Sequence, residues 1–108
     1  MVIDVPGSYN TAVRAAAADA DIDGRVLVQD TAWAGYEQIP GWIVEGYLTL
    51  FAELDATLAP APDPLIVPVG VGSLAQAAIT HYRRPTLGKA PALLAVEPDG
   101  ALHACSRA

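Results

Sequence analysis

The sequence predicts an α/β fold in which short parallel strands alternate with helices in stacked layers. Three features carry this prediction. Apolar, β-branched runs of strand length recur along the chain, stretches with helical character lie between them, and glycine or proline separates each element from the next.

The elements follow in order. Val2-Ile3-Asp4-Val5 is a compact β-branched run stopped by Pro6-Gly7, the signature of a strand entering a turn. Ser8 and Asn10 are helix-capping types, and the alanine-rich stretch 11–20 has high helix propensity, with Tyr9, Val13, Ala16, Ala17 and Ala20 on one stripe. Asp21-Ile22-Asp23-Gly24 closes that helix, and Arg25-Val26-Leu27-Val28-Gln29 reads as a second strand. Residues 30–40 carry two aromatics and no period, so they form an ordered loop.

Pro40 opens the strongest helix in the chain, with Ile43, Tyr47, Leu50, Leu54 and Leu58 recurring at spacings of four and three. Pro60, Pro62 and Pro64 forbid its continuation. Leu65-Ile66-Val67-Pro68-Val69 reads as a buried strand, although Pro68 argues against full pairing on both edges. Gly70-Val71-Gly72-Ser73 turns it into a helix over 74–82, and Pro91-Ala92-Leu93-Leu94-Ala95-Val96 forms another strand before a short terminal helix.

Composition narrows the function classes. The chain has 108 residues, 53% hydrophobic and 17% charged, with 6 basic against 12 acidic side chains and a formal charge of −6. An isoelectric point near 4.5 and no basic cluster beyond Arg83-Arg84 argue against nucleic acid and against anionic membrane surfaces. No apolar run approaches the roughly 20 residues that span a bilayer. The start of the chain lacks the basic and apolar regions of a signal peptide, so the expected compartment is the cytoplasm. The single cysteine, Cys105, has no partner thiol, and His81 and His103 lack companions at metal-ligand spacing. All three read as ordinary packing or surface residues.

Chemistry concentrates at Val69-Gly70-Val71-Gly72-Ser73-Leu74-Ala75, where a strand passes through a glycine turn into a helix. Glycine lets the backbone approach a ligand closely, and the helix start offers free N–H groups and the positive end of its dipole. An acidic protein can hold a phosphate there with main-chain amides and the Ser73 hydroxyl. Glycines at such a turn also occur for purely structural reasons. Gly70-x-Gly72-x-x-Ala75 fits a loose dinucleotide fingerprint as well, with Glu97 placed to receive a ribose hydroxyl. A P-loop is excluded, because no Gly-Lys-Ser/Thr follows.

Gln29-Asp30-Thr31-Ala32-Trp33-Ala34-Gly35-Tyr36, Ile39-Pro40, Gly46-Tyr47, Gly70-Val71-Gly72-Ser73-Leu74-Ala75 and Val96-Glu97-Pro98-Asp99 stand in an order and spacing that resemble diaminopropionate ammonia-lyase. Pro6-Gly7-Ser8-Tyr9-Asn10 with Ala12-Val13-Arg14 is similar to that family's strand-to-helix junction. The glycine loop is shared with enzymes of the tryptophan synthase β-subunit type, whereas the Gln-Asp-Thr-Ala-Trp-x-Gly-Tyr run is the more specific mark.

The resemblance implies a partial three-layer, fold type II architecture binding pyridoxal 5′-phosphate. It implies elimination of ammonia from 2,3-diaminopropionate to give pyruvate and a second ammonia. Gly70, Val71, Gly72, Ser73 and Leu74 would cradle the cofactor phosphate, and Asp30 would be the catalytic carboxylate acting at the substrate Cα. Thr31, Trp33 and Tyr36 are candidates for the substrate pocket. Residues 1–38 would belong to a smaller α/β domain and 39–108 to the larger cofactor-binding domain, with the phosphate loop at 69–75. The full-length enzyme would be a homodimer acting on a small amino acid.

Such enzymes carry the cofactor on a lysine placed before the glycine loop. Lys89 is the one lysine here and follows the loop, so the chain is expected to be an internal piece of a longer enzyme, inactive alone, with open sheet edges and uncovered apolar faces. A nicotinamide-dinucleotide module and a non-catalytic remnant or interaction protein are the alternative readings.

Overall fold

A computed structural model describes residues 2–84 and 90–98. Its elements run α1 (Tyr9–Ala20), α2 (Gln38–Thr57), β1 (Leu65–Pro68), α3 (Ser73–Tyr82) and β2 (Leu93–Val96). The two strands are parallel, Leu65 opposite Leu93 and Pro68 opposite Val96, with α3 as the crossover between them. This is the α/β character the sequence predicts. The expected terminal helix, His103, Cys105 and Lys89 lie outside the described residues.

Pro68 is accommodated by parity. Leu65 N–H donates to Ala92 O at 2.9 Å and Val69 N–H to Val96 O at 2.8 Å, so the odd-numbered amides face β2. The nitrogen of Pro68 therefore points to the other edge of β1, where its missing proton breaks no bond of this ladder.

The core lies between α2, α3 and one face of the sheet. Phe51, Val67, Ala77, Ala78 and Tyr82 are buried, and Val44, Tyr47, Leu48, Leu54, Leu65, Leu74 and Leu93 pack around them. Ala77 and Ala78 remove side-chain bulk from α3, which lets it approach α2 closely. Phe51 fills the contact, meeting Tyr82 edge-on at 5.7 Å between ring centroids and His81 at 5.9 Å. Asp55 of α2 ties the same helices together, accepting the Tyr82 hydroxyl at 3.1 Å and lying 2.6 Å from His81 Nε2. His81 Nδ1 is buried without a hydrogen-bond partner among the described residues.

Several details differ from the expectation. Val2-Ile3-Asp4-Val5 and Arg25-Val26-Leu27-Val28-Gln29 are not strands. A strand needs a neighbouring ladder to satisfy its amides, and among the described residues neither run has one, leaving Val2 93% and Val26 74% exposed. Helix α2 starts two residues before Pro40, which still falls in the first turn, where a missing N–H costs nothing. Its core-facing stripe is Val44, Tyr47, Leu48, Phe51 and Leu54, while Leu50 and Leu58 are exposed. Helix α1 has no fully buried residue and packs against none of the other elements. No described helix is long and apolar enough to cross a membrane.

Among the described residues nothing covers the outer face of the sheet. Ile66, Leu94 and Val96 are each about half exposed on it, although parallel sheets ordinarily have both faces covered.

Burial pushes the Tyr82 phenol above its ordinary range, and the hydrogen bond to Asp55 and that group's negative charge push the same way. The unfolded chain then loses the tyrosine proton first as pH rises, so this contribution is complete below about pH 10 and is lost on passing through the folded value. Tyr82→Phe is expected to cost about 1 kcal/mol at neutral pH. It should also flatten the alkaline fall in stability, as read from urea denaturation at several pH values.

Candidate functional site

The loop between β1 and α3 is set by glycine in two different ways. Gly72 is the N-cap of α3 with φ +97°, a left-handed conformation that disfavours any side chain, and a Cβ built there meets nothing within 4 Å. Gly70 lies outside that region, and a Cβ built on it also meets open space. Backbone geometry thus explains glycine at 72, while neither geometry nor packing within the described residues explains it at 70.

The amides of residues 70–75 donate no backbone hydrogen bond to a described residue, and the first helical bond of α3 is Gln76 N–H to Gly72 O at 2.8 Å. Several donors without a described partner therefore lie at the positive end of a helix dipole, with open space at the Cβ positions of Gly70 and Gly72. That arrangement fits a phosphate group, which needs multiple N–H donors and room.

Ser73 does not present its hydroxyl as a further free donor. It is buried, and its Oγ donates to Asp30 Oδ2 at 2.9 Å across 43 residues of sequence. The structure thus brings Asp30 to the mouth of the glycine loop.

Asp30 is held by a self-braced loop. The Gln29 side chain grips both backbone groups of Thr31, accepting its N–H at 3.0 Å and donating to its carbonyl at 2.5 Å. Tyr36 Oη accepts the Gln29 N–H at 3.0 Å and donates to Leu27 O at 2.9 Å. Trp33 stacks on Tyr36 with centroids 4.5 Å apart, over a tight turn closed by Tyr36 N–H to Trp33 O at 2.8 Å. Thr31 Oγ1 lies 3.4 Å from Tyr9 Oη. Thr31, Trp33 and Tyr36 therefore brace the segment that carries Asp30. The bracing of Gln29 and Tyr36 was not visible in the sequence, since neither residue has a spacing that signals it. Leu74 packs against the core, and Glu97 is exposed just past β2, away from any described partner.

Comparison with known proteins matches the whole chain, residues 1–108, to the family described as pyridoxal-phosphate dependent enzyme. The chain is similar to diaminopropionate ammonia-lyase of Salmonella typhimurium, 42% identical over 98 residues that cover 87% of this chain and 24% of that protein. It is also similar to the diaminopropionate ammonia-lyase of Escherichia coli, 38% identical over 71 residues, covering 63% of this chain and 18% of that protein. The chain thus spans a quarter or less of the length of these curated relatives. The match does not favour the dinucleotide reading of the glycine loop.

Two stability measurements check the local account. Gly72→Ala should cost about 1–2 kcal/mol from left-handed strain alone, whereas Gly70→Ala should change stability by less than about 0.5 kcal/mol; chemical denaturation of both variants decides. Tyr36→Phe removes the shared anchor of Leu27 and Gln29 and should cost about 1–2 kcal/mol, with faster proteolytic nicking over residues 25–36.

Proposed function

Since the chain belongs to the pyridoxal-phosphate dependent enzyme family, we propose that it forms part of a diaminopropionate ammonia-lyase-like enzyme, with residues 70–74 cradling the cofactor phosphate and Asp30 as the catalytic carboxylate. The reaction is elimination of ammonia from 2,3-diaminopropionate, which with one water yields pyruvate and two ammonia molecules. The observation that carries this reading is the 2.9 Å contact of Asp30 with Ser73, which sets a carboxylate beside a loop of unspent amides.

When bound, pyridoxal phosphate supplies an electron sink for negative charge at the substrate Cα. The chain's own residues have separate tasks. The amides of 70–74 and the α3 dipole bind and orient the phosphate without a lysine or arginine. Asp30 takes or returns the proton at the substrate Cα. Trp33 and Tyr36, stacked on each other, brace the loop that carries Asp30 and so help keep the carboxylate in place.

The domain division falls within this reading, residues 1–38 being part of a smaller domain and 39–108 part of the cofactor-binding one. A tryptophan synthase β-like relationship, a small amino-acid substrate, a homodimeric full-length enzyme without a nucleic-acid partner and a cytoplasmic setting are further parts of the proposal, resting on the resemblance. Lys89 is the one lysine of the 108 residues and follows the loop, so these residues by themselves are proposed not to complete the reaction.

The test is absorbance and equilibrium binding of pyridoxal phosphate to the chain. Binding should depend on the phosphate, being lost with pyridoxal, should persist in Lys89→Ala and should weaken at least tenfold in Gly70→Ala (about 1.4 kcal/mol, the loss of one or two hydrogen bonds). Equal binding of pyridoxal, or abolition by Lys89→Ala, would mark surface adduct formation and overturn the reading. Pyruvate release by the chain alone would overturn the proposal that these residues do not complete the reaction.

A further inference from the structure

The proton of the Ser73 hydroxyl goes to Asp30, although the same hydroxyl stands in the first turn of α3 beside the amides assigned to the phosphate. Among the described residues this is the one hydrogen bond that joins residues 2–36 to residues 42–98. Helix α1 touches no other described helix or strand. We propose that Ser73 is a positioning residue that couples occupancy of the phosphate loop to Asp30, its single proton being contested by the Asp30 carboxylate and an anion bound at the loop. This deepens the function proposed above and rests on residues 70–74 being the phosphate site.

The physical argument is one of stoichiometry and charge. A serine hydroxyl has one proton to donate. With the loop free of anion that proton satisfies Asp30, whose negative charge also gains from the helix N-terminus. A phosphate at the amides is a second anion within a few ångströms of the first, and the two repel. The phosphate has several amide donors as well, so it outcompetes a single carboxylate for the helix end, and Asp30 leaves Ser73. Its backbone stays put meanwhile, because Gln29 and Tyr36 clamp the residues on either side. Seating the phosphate therefore frees the Asp30 carboxylate for the substrate, and an unloaded site keeps it tethered.

The test is titration of the isotopically labelled 108-residue chain with inorganic phosphate, following the amide resonances of 70–74 and of 30–33 separately. Both groups should shift along one binding curve in the parent chain. In Ser73→Ala the loop amides should still respond while 30–33 no longer follow, and Ser73→Thr, which keeps the hydroxyl, should restore the coupled response. Asp30→Asn removes the competing charge without removing volume and should tighten phosphate binding about tenfold. Loop amides that shift while 30–33 stay still in the parent chain would overturn the coupling and leave the phosphate reading standing, as would coupling that survives Ser73→Ala. Weaker or unchanged phosphate binding in Asp30→Asn would also overturn it, and that variant keeps the test decisive if Ser73→Ala does not fold. Loop amides indifferent to phosphate in every variant would overturn the phosphate reading itself.

Discussion

The close packing of α2 on α3 is the contact on which the other features depend. Ala77 and Ala78 let the helices approach, Phe51 fills the space between them, and Asp55 binds two consecutive residues of α3. Because α3 is only ten residues long, anchoring its last two turns fixes the direction of its first. That direction decides where the amides of the glycine loop point and where Ser73 places its hydroxyl. The site is therefore built by a core some distance from it, and damage to the Phe51 contact would reach the loop through the axis of α3.

An anion held at residues 70–74, as proposed, would be met on this chain of net charge −6 by donors that carry no formal charge. Main-chain amides meet that need, because their dipoles are fixed by the fold and cost no reorganisation when the ligand arrives. The same economy explains why a carboxylate can sit nearby. A helix end that favours a phosphate also favours the Asp30 carboxylate, which is why the proposal sets the two in competition there.

What the sequence made legible follows from whether each segment's partner lies within the described chain. Residues 65–68 and 93–96 pair with each other and form strands as expected, and α3 begins where the glycine turn places it. The runs at 2–5 and 25–29 carry equally good strand composition, yet composition cannot supply a ladder. Helix α2 was legible as a helix but not by face. Ile39, Trp42, Ile43, Val44, Tyr47, Leu48, Leu50 and Phe51 make it apolar nearly all round, so two stripes fit the spacing and only packing against α3 selects one. Asp30 and the glycine loop were singled out as candidates through residue identities in a recognised order. The bond between Asp30 and Ser73 spans 43 residues and has no periodic signature, so the allocation of the hydroxyl proton to Asp30 emerges only in three dimensions.

That allocation makes energetic sense because of how little the bond has to do. A hydrogen bond to a charged acceptor contributes about 1.5–3 kcal/mol net, whereas ordering a flexible loop of ten residues costs roughly 1 kcal/mol or more per residue in backbone entropy. One bond to Ser73 cannot order such a loop. The segment instead orders itself, through Gln29 on Thr31, Tyr36 on Leu27 and Gln29, and Trp33 stacked on Tyr36. Ser73 then docks an object that is already rigid. A contact of that size is strong enough to set a position and weak enough to be exchanged for a ligand with several amide donors, which is the balance the proposed role of Asp30 would need.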